Sequence, residues 1–264
     1  MRSAAFAGQE FAASLPWSAA AVVVVLALTY FAAQRAGRHN VIDSAWGVLF
    51  CAAAIVAFWR SAGQGDDARR WLLLFMTLLW GIRLAVHITR RGRGKGEDPR
   101  YQNLLAGRGA LQTILMVYLL QGVLAYLISA PVQVGMFEPG PLTPVALLGI
   151  VLWLVGIAFE AVGDRQLERF KADPDHGLVL DTGLWRYTRH PNYFGDACVW
   201  VGIFCVAAGH WPGLLTVISP LIMVYLLAFG SGKRVLERSM AQRPGYRDYM
   251  EHTSGFLPRP PYRH

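Results

Sequence analysis

The sequence predicts an all-α integral membrane protein, a polytopic bundle of seven transmembrane helices. Of the 264 residues, 54% are hydrophobic and 16% are charged, whereas soluble domains average about 25% charged residues. A spanning helix needs about 20 mostly apolar residues. Seven stretches come close, near 17–33, 41–59, 71–88, 110–129, 144–161, 193–208 and 213–229. We therefore expect one membrane-embedded domain over 1–264 and no separate soluble domain.

Lysine and arginine are unevenly distributed between the two sides of this bundle. Twenty of the 25 lie on one predicted side, in 34–40, 89–109 and 162–192 and in the tail 230–264. Four, including Arg2, lie on the opposite side, and Arg83 lies within a span. Cytoplasmic loops carry the excess of these residues. We therefore predict an external N-terminus, a cytoplasmic C-terminus and a multi-pass protein of the inner cell membrane with its active site open to the cytoplasm.

The remaining composition predicts few other partners. The three cysteines, Cys51, Cys198 and Cys205, lie in apolar runs without the CxxC spacing of a metal site, so we expect packing residues and no metal. The basic residues responsible for the net charge of +8 flank the apolar spans and do not form a separate polar domain. We therefore expect contacts with membrane lipids, no nucleic acid, and a monomer.

Ionisable residues inside a bilayer are costly and require a partner or an aqueous cavity. Asp43 begins the second span, Arg83 and His87 lie one turn apart in the third, and Glu160 and Asp164 end the fifth. Each alone is compatible with a structural, ion-paired or snorkelling residue. Their convergence on one predicted membrane face favours a functional site.

The third span runs into a basic segment in which glycines alternate with cations, Arg90, Arg91, Arg93 and Lys95. Such a segment is typical of a topology anchor or a contact with anionic lipids. A second interpretation is phosphate binding, because the glycines allow backbone and guanidinium groups to close around an anion.

The stretch 183–196, GLWRYTRHPNYFGD, is the most informative. Proline fits best in the first helical turn, so Pro191 predicts the start of the sixth span. His190, Asn192, Tyr193 and Asp196 then lie in or beside its first turns, preceded by Arg186 and Arg189. A helix N-terminus flanked by arginines favours an anion site. An interfacial aromatic and basic belt would explain the arginines, Trp185, Tyr187 and Tyr193, but not the polar Asn192 and Asp196.

The tail combines cationic and aromatic residues: Lys233, Arg234, Glu237 and Arg238, then Tyr246, Tyr249, Thr253 and Phe256. It predicts either an amphipathic interfacial helix or a lid over a bound nucleotide. No Walker, GxGxxG, HExxH or GxSxG motif is present, so a nucleotide site would be of another kind.

At these residues the sequence resembles the steroid 5-alpha-reductase family, specifically its bacterial branch of seven-helix membrane reductases. The resemblance rests on NVIDSAWG at 40–47, WGIRL at 80–84, RRGRGKGEDPRY at 90–101, DRQ at 164–166, RHPNYFGD at 189–196, and 234–256. It implies that NADPH enters from the cytoplasm and an enone lipid, such as a 3-oxo-4-ene steroid, enters from the bilayer. Hydride would pass to the carbon β to the carbonyl while a hydrogen-bond donor polarises its oxygen, giving the 5-alpha-dihydro ketone.

The resemblance also implies site residues. Asn192, Tyr193 and Asp196 match family residues that contact the cofactor, with Tyr187 just upstream. The implied phosphate partners are Arg83, Arg93, Arg165, Lys171 and Arg234. We also assign Asp164, His190, Glu237, Tyr246 and Tyr249 to the cofactor site.

The catalytic residues depart from the family pattern at two positions. The animal enzymes hold the steroid carbonyl with a glutamate of the second span and a tyrosine three residues before an arginine of the third. The corresponding residues here are Asp43 and Trp80, and an indole can donate a hydrogen bond but cannot relay a proton. Asp43, Trp80 and His87 are the catalytic candidates. The proton donor stays open between His87, Tyr118 and a water held by Asp43.

A second family shares an Arg-His-Pro-x-Tyr element before a membrane helix, the isoprenylcysteine carboxyl methyltransferases. Their cofactor, S-adenosylmethionine, has no phosphate, so the convergent arginines favour NADPH. A third interpretation is a lipid-binding or transport protein. Transporters of the inverted-repeat kind show broken helices in matching halves, and the sequence shows no such pairing.

Overall fold

The structure, a computed structural model, describes residues 5–230 and 232–261; Arg2 and the last three residues of the predicted tail lie outside this part. The protein is all-helical, at 74% helix, and the described residues include no strand. Among the described residues, six helical stretches are long and apolar enough to cross a membrane: Gly8–Ala36, Val41–Arg60, Asp67–Gly92, Ala110–Ile128, Pro144–Ala172 and Trp211–Met240. The predicted all-α membrane class is therefore confirmed.

The sixth predicted span, near 193–208, corresponds to a helix of 17 residues, Pro191–Ala207. It is shorter than the six long apolar helices, so the count of seven spans stays a prediction, as does the orientation of the termini. Large apolar side chains such as Val24, Leu28, Leu147 and Val151 are exposed along the long helices, as expected of surfaces that face lipid.

The chain forms two compact units. The first comprises residues up to 146 together with 206–219. Its helices are α1 (Gly8–Ala36), α2 (Val41–Arg60), α3 (Asp67–Gly92), α4 (Pro99–Leu105), α5 (Ala110–Thr113), a π-helix (Ile114–Leu119), α6 (Leu120–Ile128), α7 (Ala130–Gly135) and, late in the chain, α10 (Trp211–Leu214) with a 3-10 turn (Leu215–Val217).

The second unit comprises 147–205 and 220–264. Its helices are α8 (Pro144–Ala172), a 3-10 turn (Gly183–Arg186), α9 (Pro191–Ala207), α11 (Ile218–Ala228), α12 (Lys233–Met240) and α13 (Tyr246–His252), each assigned to the unit that holds most of it.

The helix that contains the fifth predicted span extends beyond it. The loop predicted from residue 162 begins as a helix, because α8 continues to Ala172 and carries Asp164, Arg165 and Lys171. Arginine and lysine, such as Arg165 and Lys171, are good helix formers once the chain leaves the apolar region. The helix ends where Pro174 follows Asp173, since proline disfavours helical backbone in the residue before it.

Close helix crossings organise both units. In the first, α2 and α3 cross at Gly47 and Gly81, and a Cβ on Gly47 would lie 2.3 Å from the Gly81 carbonyl oxygen. In the second, α8 and α9 cross at Gly156 and Gly195, and a Cβ on Gly156 would lie 2.5 Å from the Gly195 carbonyl oxygen. Small residues permit such backbone contact between apolar helices, and these crossings set the positions of the polar residues nearby.

The turn before α3 is held by a buried arginine. Arg69 is 0% exposed, and its guanidinium donates to the carbonyls of Gly140 at 2.7 Å, Pro141 at 2.9 Å, Glu138 at 3.1 Å and Val206 at 3.3 Å. The side chain of Asp66 caps α3 by accepting from the Arg69 backbone N–H at 2.9 Å. One side chain therefore ties three separate segments of the first unit together.

Candidate active site

In the second unit, the segment before α9 carries a buried ionic cluster. Arg189 Nε donates to Glu237 Oε1 at 2.8 Å, and His190 Nε2 lies 3.0 Å from the same oxygen. Lys233 Nζ lies 3.8 Å from the second oxygen of Glu237. Arg189, His190 and Glu237 are all buried. The cluster joins α9 to α12 across about fifty residues of sequence.

The same arginine binds the end of the tail. Arg189 Nη1 donates to the Met250 carbonyl at 2.8 Å and to the Thr253 carbonyl, and its backbone N–H donates to the Ser254 carbonyl at 2.9 Å. Arg186, three residues before Arg189, is exposed. The sequence grouped these two arginines as flanks of an anion site, but the guanidinium of Arg189 is bound within the protein.

Further hydrogen bonds dock the tail along residues 185–190. Thr188 Oγ1 donates to the Phe256 carbonyl at 2.9 Å, the Tyr249 hydroxyl donates to the Trp185 carbonyl, and the Arg259 N–H donates to the Tyr187 carbonyl at 2.9 Å. A helix that merely rests on the membrane surface does not account for these bonds. The tail is packed against the protein, and the lid over a nucleotide stays a prediction.

His190 and Tyr193 form a stacked pair at the start of α9. Their ring centroids are 5.2 Å apart with planes inclined by 5°. Burial lowers the pKa of His190, and the hydrogen bond to Glu237 opposes that shift. The neutral imidazole then donates from Nε2 to the Glu237 carboxylate, which orients the ring that Tyr193 stacks on.

The other predicted residues of this unit differ in exposure. Asn192 is half-buried, and its Oδ1 accepts from the Tyr193 N–H at 3.1 Å. Asp196 is half-buried and Asp164 is buried, whereas Tyr187 is exposed.

Tyr246 and Tyr249 of the tail are buried with ring centroids 5.7 Å apart, and burial raises the pKa of Tyr246 to about 12. The cations Arg165, Lys171 and Arg234 are exposed, and their contacts with a phosphate stay a prediction.

Residues of α8 fix the segment that leads into α9. Gln166 Oε1 accepts from the Leu184 N–H at 3.0 Å, and Trp185 Nε1 donates to the Gly163 carbonyl at 3.1 Å. Because both partners lie beside Asp164 and Arg165, the DRQ motif and the stretch 183–196 form one local structure. The sequence singled out both motifs without showing that they meet.

In the first unit, Asp43 is bound by residues that follow α3. The Tyr101 hydroxyl donates to Asp43 Oδ1 at 2.5 Å and accepts from Gln121 Nε2 at 3.2 Å, while Arg100 Nη2 lies 3.2 Å from Asp43 Oδ2. Burial, with the carboxylate of Asp43 adding to it, raises the pKa of Tyr101, which keeps the phenol protonated as a donor. The sequence missed Tyr101, although the Asp98-Pro99 pair that begins α4 is a helix-start signal.

The residues predicted on α3 lie on one helix, as expected. Trp80 is 0% exposed and packs edge-to-face on Phe50 with ring centroids 5.2 Å apart. Arg83 and His87 are half-buried, and Arg93 is exposed just after the helix ends. A core position explains Trp80 structurally, and its catalytic role, like that of His87, stays a prediction.

The basic segment after α3 is held in place by its own neighbours. Arg38 Nη1 donates to the carbonyls of Gly92 at 2.9 Å and Lys95 at 2.8 Å. Glu97 accepts from the backbone N–H groups of His39 and Asn40, the latter at 2.9 Å. These bonds leave Arg93 and Lys95 exposed on a fixed loop.

Comparison with known proteins decides the family. The family model described as "Protein of unknown function (DUF1295)" matches residues 29–253. The chain belongs to this family. It is a steroid 5-alpha-reductase-like family, so the resemblance at the level of the family is confirmed, whereas the specific bacterial branch stays a prediction.

Two curated relatives of this DUF1295 protein are similar to it. An uncharacterized protein of Schizosaccharomyces pombe is 23% identical over 249 residues, covering 83% of this chain and 72% of the relative. The steroid 5-alpha-reductase DET2 of Arabidopsis thaliana is 33% identical over 69 residues, which is 26% of each chain. No solved structure matches. The similarity is thus to a reductase-like membrane enzyme over a short stretch.

Proposed function

We propose that this DUF1295 protein reduces the carbon-carbon double bond of an enone lipid with NADPH, and that a 3-oxo-4-ene steroid, converted to its 5-alpha-dihydro product, represents the substrate class. The proposal includes seven spans, an external N-terminus and a site open to the cytoplasm. Family membership, together with the similarity to a named steroid 5-alpha-reductase, is the observation that carries it.

The residues of the second unit fit a phosphorylated dinucleotide. Asn192, Tyr193 and Asp196 occupy the first turns of α9, where backbone N–H groups and the helix dipole favour an anion. Arg165, Lys171 and Arg234 are exposed in the same unit and supply the charge that a pyrophosphate and a 2′-phosphate require. Arg83 and Arg93 of the first unit stay phosphate partners by resemblance.

The chain's own residues supply the remaining chemistry. NADPH, when bound, supplies hydride to the carbon β to the carbonyl. The carboxylate of Asp43 is fixed in position, since Tyr101 and Arg100 each donate a hydrogen bond to one of its oxygens. It can orient a hydrogen-bond donor toward the substrate oxygen as negative charge develops there. The apolar helices exclude water, which strengthens that interaction.

Isothermal titration of the purified protein in detergent tests the cofactor. We expect NADPH to bind, NADH to bind more weakly, and S-adenosylmethionine not to bind. If S-adenosylmethionine binds and NADPH does not, the proposed reductase function is wrong and a methyltransferase function is favoured. In the second arm, a 3-oxo-4-ene steroid is added with NADPH, and loss of NADPH absorbance with formation of the saturated ketone is expected.

Two variants locate the site. Asn192→Ala and Arg83→Ala should abolish NADPH binding while leaving expression and melting temperature largely intact. Arg247→Ala is the matched control, because Arg247 is exposed and its Nε donates to the Ala241 carbonyl at 3.3 Å. Retained affinity in both site variants would show that the cofactor lies elsewhere.

A further inference from the structure

A π-helix interrupts the fourth apolar run at Ile114–Leu119. Each residue of a π-helix bonds five positions away instead of four, and such interruptions occur frequently at functional sites. The side chain that this one positions is Tyr118, which is 3% exposed. Tyr118 packs in an apolar cluster of the first unit with Ala33, Ile42 and Val117. A polar phenol is thus placed in an apolar environment by irregular backbone.

The Tyr118 hydroxyl meets an imidazole. His39 Nδ1 lies 2.9 Å from the Tyr118 oxygen, with the two rings edge-to-face at 5.9 Å. The backbone of His39 is fixed by Glu97, and Tyr30 packs edge-to-face on Tyr118 at 5.2 Å. His39 itself is half-buried and lies in the turn between α1 and α2. The pair therefore joins an apolar interior to a partly solvated turn.

Two other tyrosines of this unit have different partners. The Tyr101 hydroxyl donates to Asp43 and accepts from Gln121, so both of its bonding capacities are used. The Tyr126 hydroxyl donates to the Leu15 carbonyl at 2.9 Å, a group that never releases a proton. An imidazole, by contrast, takes up and releases a proton near neutral pH. Tyr118 is the tyrosine whose partner can restore a lost proton.

We propose that Tyr118 donates the proton that completes the reduction and that His39 returns it, an inference that rests on the proposed function. Hydride adds to the β carbon, the electron pair of the double bond moves through the carbonyl to give an enolate, and the Tyr118 phenol transfers its proton to the α carbon. The phenolate then takes the Nδ1 proton of the doubly protonated His39 imidazole, and the neutral imidazole that remains takes up one proton from solution. The sum is enone, NADPH and one proton giving ketone and NADP.

The charged and titratable groups around the pair suit this task. Tyr30 on α1 and Glu97 on the loop before α4 are the ionisable groups that face Tyr118 besides His39. The carboxylate of Glu97 accepts from the His39 backbone N–H and so fixes the turn that carries the imidazole. Glu97 is thus a positioning residue, and Tyr118 is the group that reaches the substrate.

Kinetics of variants test the proton transfer. A positioned general acid contributes about 100-fold or more to kcat, so Tyr118→Phe should lower kcat by about that factor while the Kd for NADPH changes less than about twofold. His39→Gln should lower kcat less and remove its pH dependence in the neutral range. The double variant should match Tyr118→Phe, because residues that act in series are not additive. Tyr126→Phe, on the same apolar run, should retain the wild-type kcat.

An NMR measurement that needs no substrate turnover tests the Tyr118–His39 pair independently of the proposed function. In protein labelled with 13C at tyrosine Cζ, the Tyr118 resonance, assigned by its loss in Tyr118→Phe, should shift when the pH is varied between about 5 and 8, where histidine exchanges a proton, and the shift should vanish in His39→Gln. If the Tyr118 resonance does not change with pH, the proposed proton exchange between Tyr118 and His39 is wrong. A Tyr118→Phe protein that melts like the wild type and keeps its kcat also overturns the proposal. If the resonance shifts but no enone is reduced, the proposed function fails and the proton-exchanging pair stands.

Discussion

Arg189 Nε donates to Glu237 Oε1 at 2.8 Å, and the two side chains are 9% and 11% exposed. A buried pair is costly to break from one side, because the remaining charge is left uncompensated. The same guanidinium holds the tail through carbonyl oxygens. This single contact therefore links the segment before α9, α12 and the residues after α13.

Arg189→Met should destabilise the second unit by about 3 kcal/mol, because it leaves the Glu237 carboxylate buried with fewer donors. The measurement is thermal or denaturant unfolding, with limited proteolysis to report release of the tail. Arg186→Met is the control, since Arg186 is exposed at the end of the nearby 3-10 turn and its replacement should change stability little. Adding Glu237→Leu to Arg189→Met should recover part of the loss; a further additive loss would contradict the pairing.

Acidification should destabilise the protein through His190. Burial lowers the pKa of His190 below its ordinary value of 6.5, despite the opposing effect of Glu237, while Arg189 and Lys233 act in the same direction as burial. Below that ordinary value the unfolded chain binds the proton more readily, so the free energy of unfolding falls as the pH falls, by up to about 1.4 kcal/mol per pH unit.

Melting curves between about pH 5 and pH 8 measure this dependence, since the unperturbed pKa of histidine lies within that range. His190→Gln should flatten the slope. His252→Gln, which removes a histidine with a 40% exposed side chain, should retain it. Equal slopes in all three proteins would assign the pH dependence to other groups.

Gly47→Ala should destabilise the first unit by about 2 kcal/mol, because overpacking a helix contact costs about this much. The new Cβ would lie 2.3 Å from the Gly81 carbonyl oxygen, and that oxygen belongs to backbone that cannot rotate away. Gly92→Ala is the matched control, since nothing lies within 4 Å of a Cβ there. Comparable melting temperatures for the two variants would show that α2 and α3 do not pack closely at Gly47.

Arg165→Ala and Arg234→Ala should reduce the preference for NADPH over NADH. A charge-assisted hydrogen bond contributes about 1.5 to 3 kcal/mol, so loss of one 2′-phosphate contact should weaken NADPH about tenfold or more. The affinity for NADH should change less than about threefold. Parallel titrations with both nucleotides measure this, and equal weakening of both would assign these arginines to the shared pyrophosphate.

The helical class was predictable because apolar runs of about 20 residues have few alternative structures. Helix ends were harder to predict. Residues such as Asp164 and Lys171 are compatible with either a loop or an exposed helix end, and α8 continues through both. The π-helix at Tyr118 has no sequence signature, because an interruption of one residue barely changes the apolar pattern.

The site was predictable at the level of motifs but not of pairs. Arg186 and Arg189 have equivalent sequence contexts, and only the folded tail buries one and leaves the other exposed. Tyr101 lies 58 residues from Asp43, so no local pattern indicates their hydrogen bond. Proximity between distant segments depends on helix packing, which the order of residue types does not encode directly.

The buried Arg69 also has a consequence for biogenesis. Its carbonyl partners lie at residues 138, 140, 141 and 206, all of which are synthesised later than α3. While the nascent chain is shorter than about these lengths, the guanidinium has no acceptors of its own and must stay hydrated at the membrane surface. We therefore expect chains truncated before residue 138 to be more sensitive to proteolysis than the full chain.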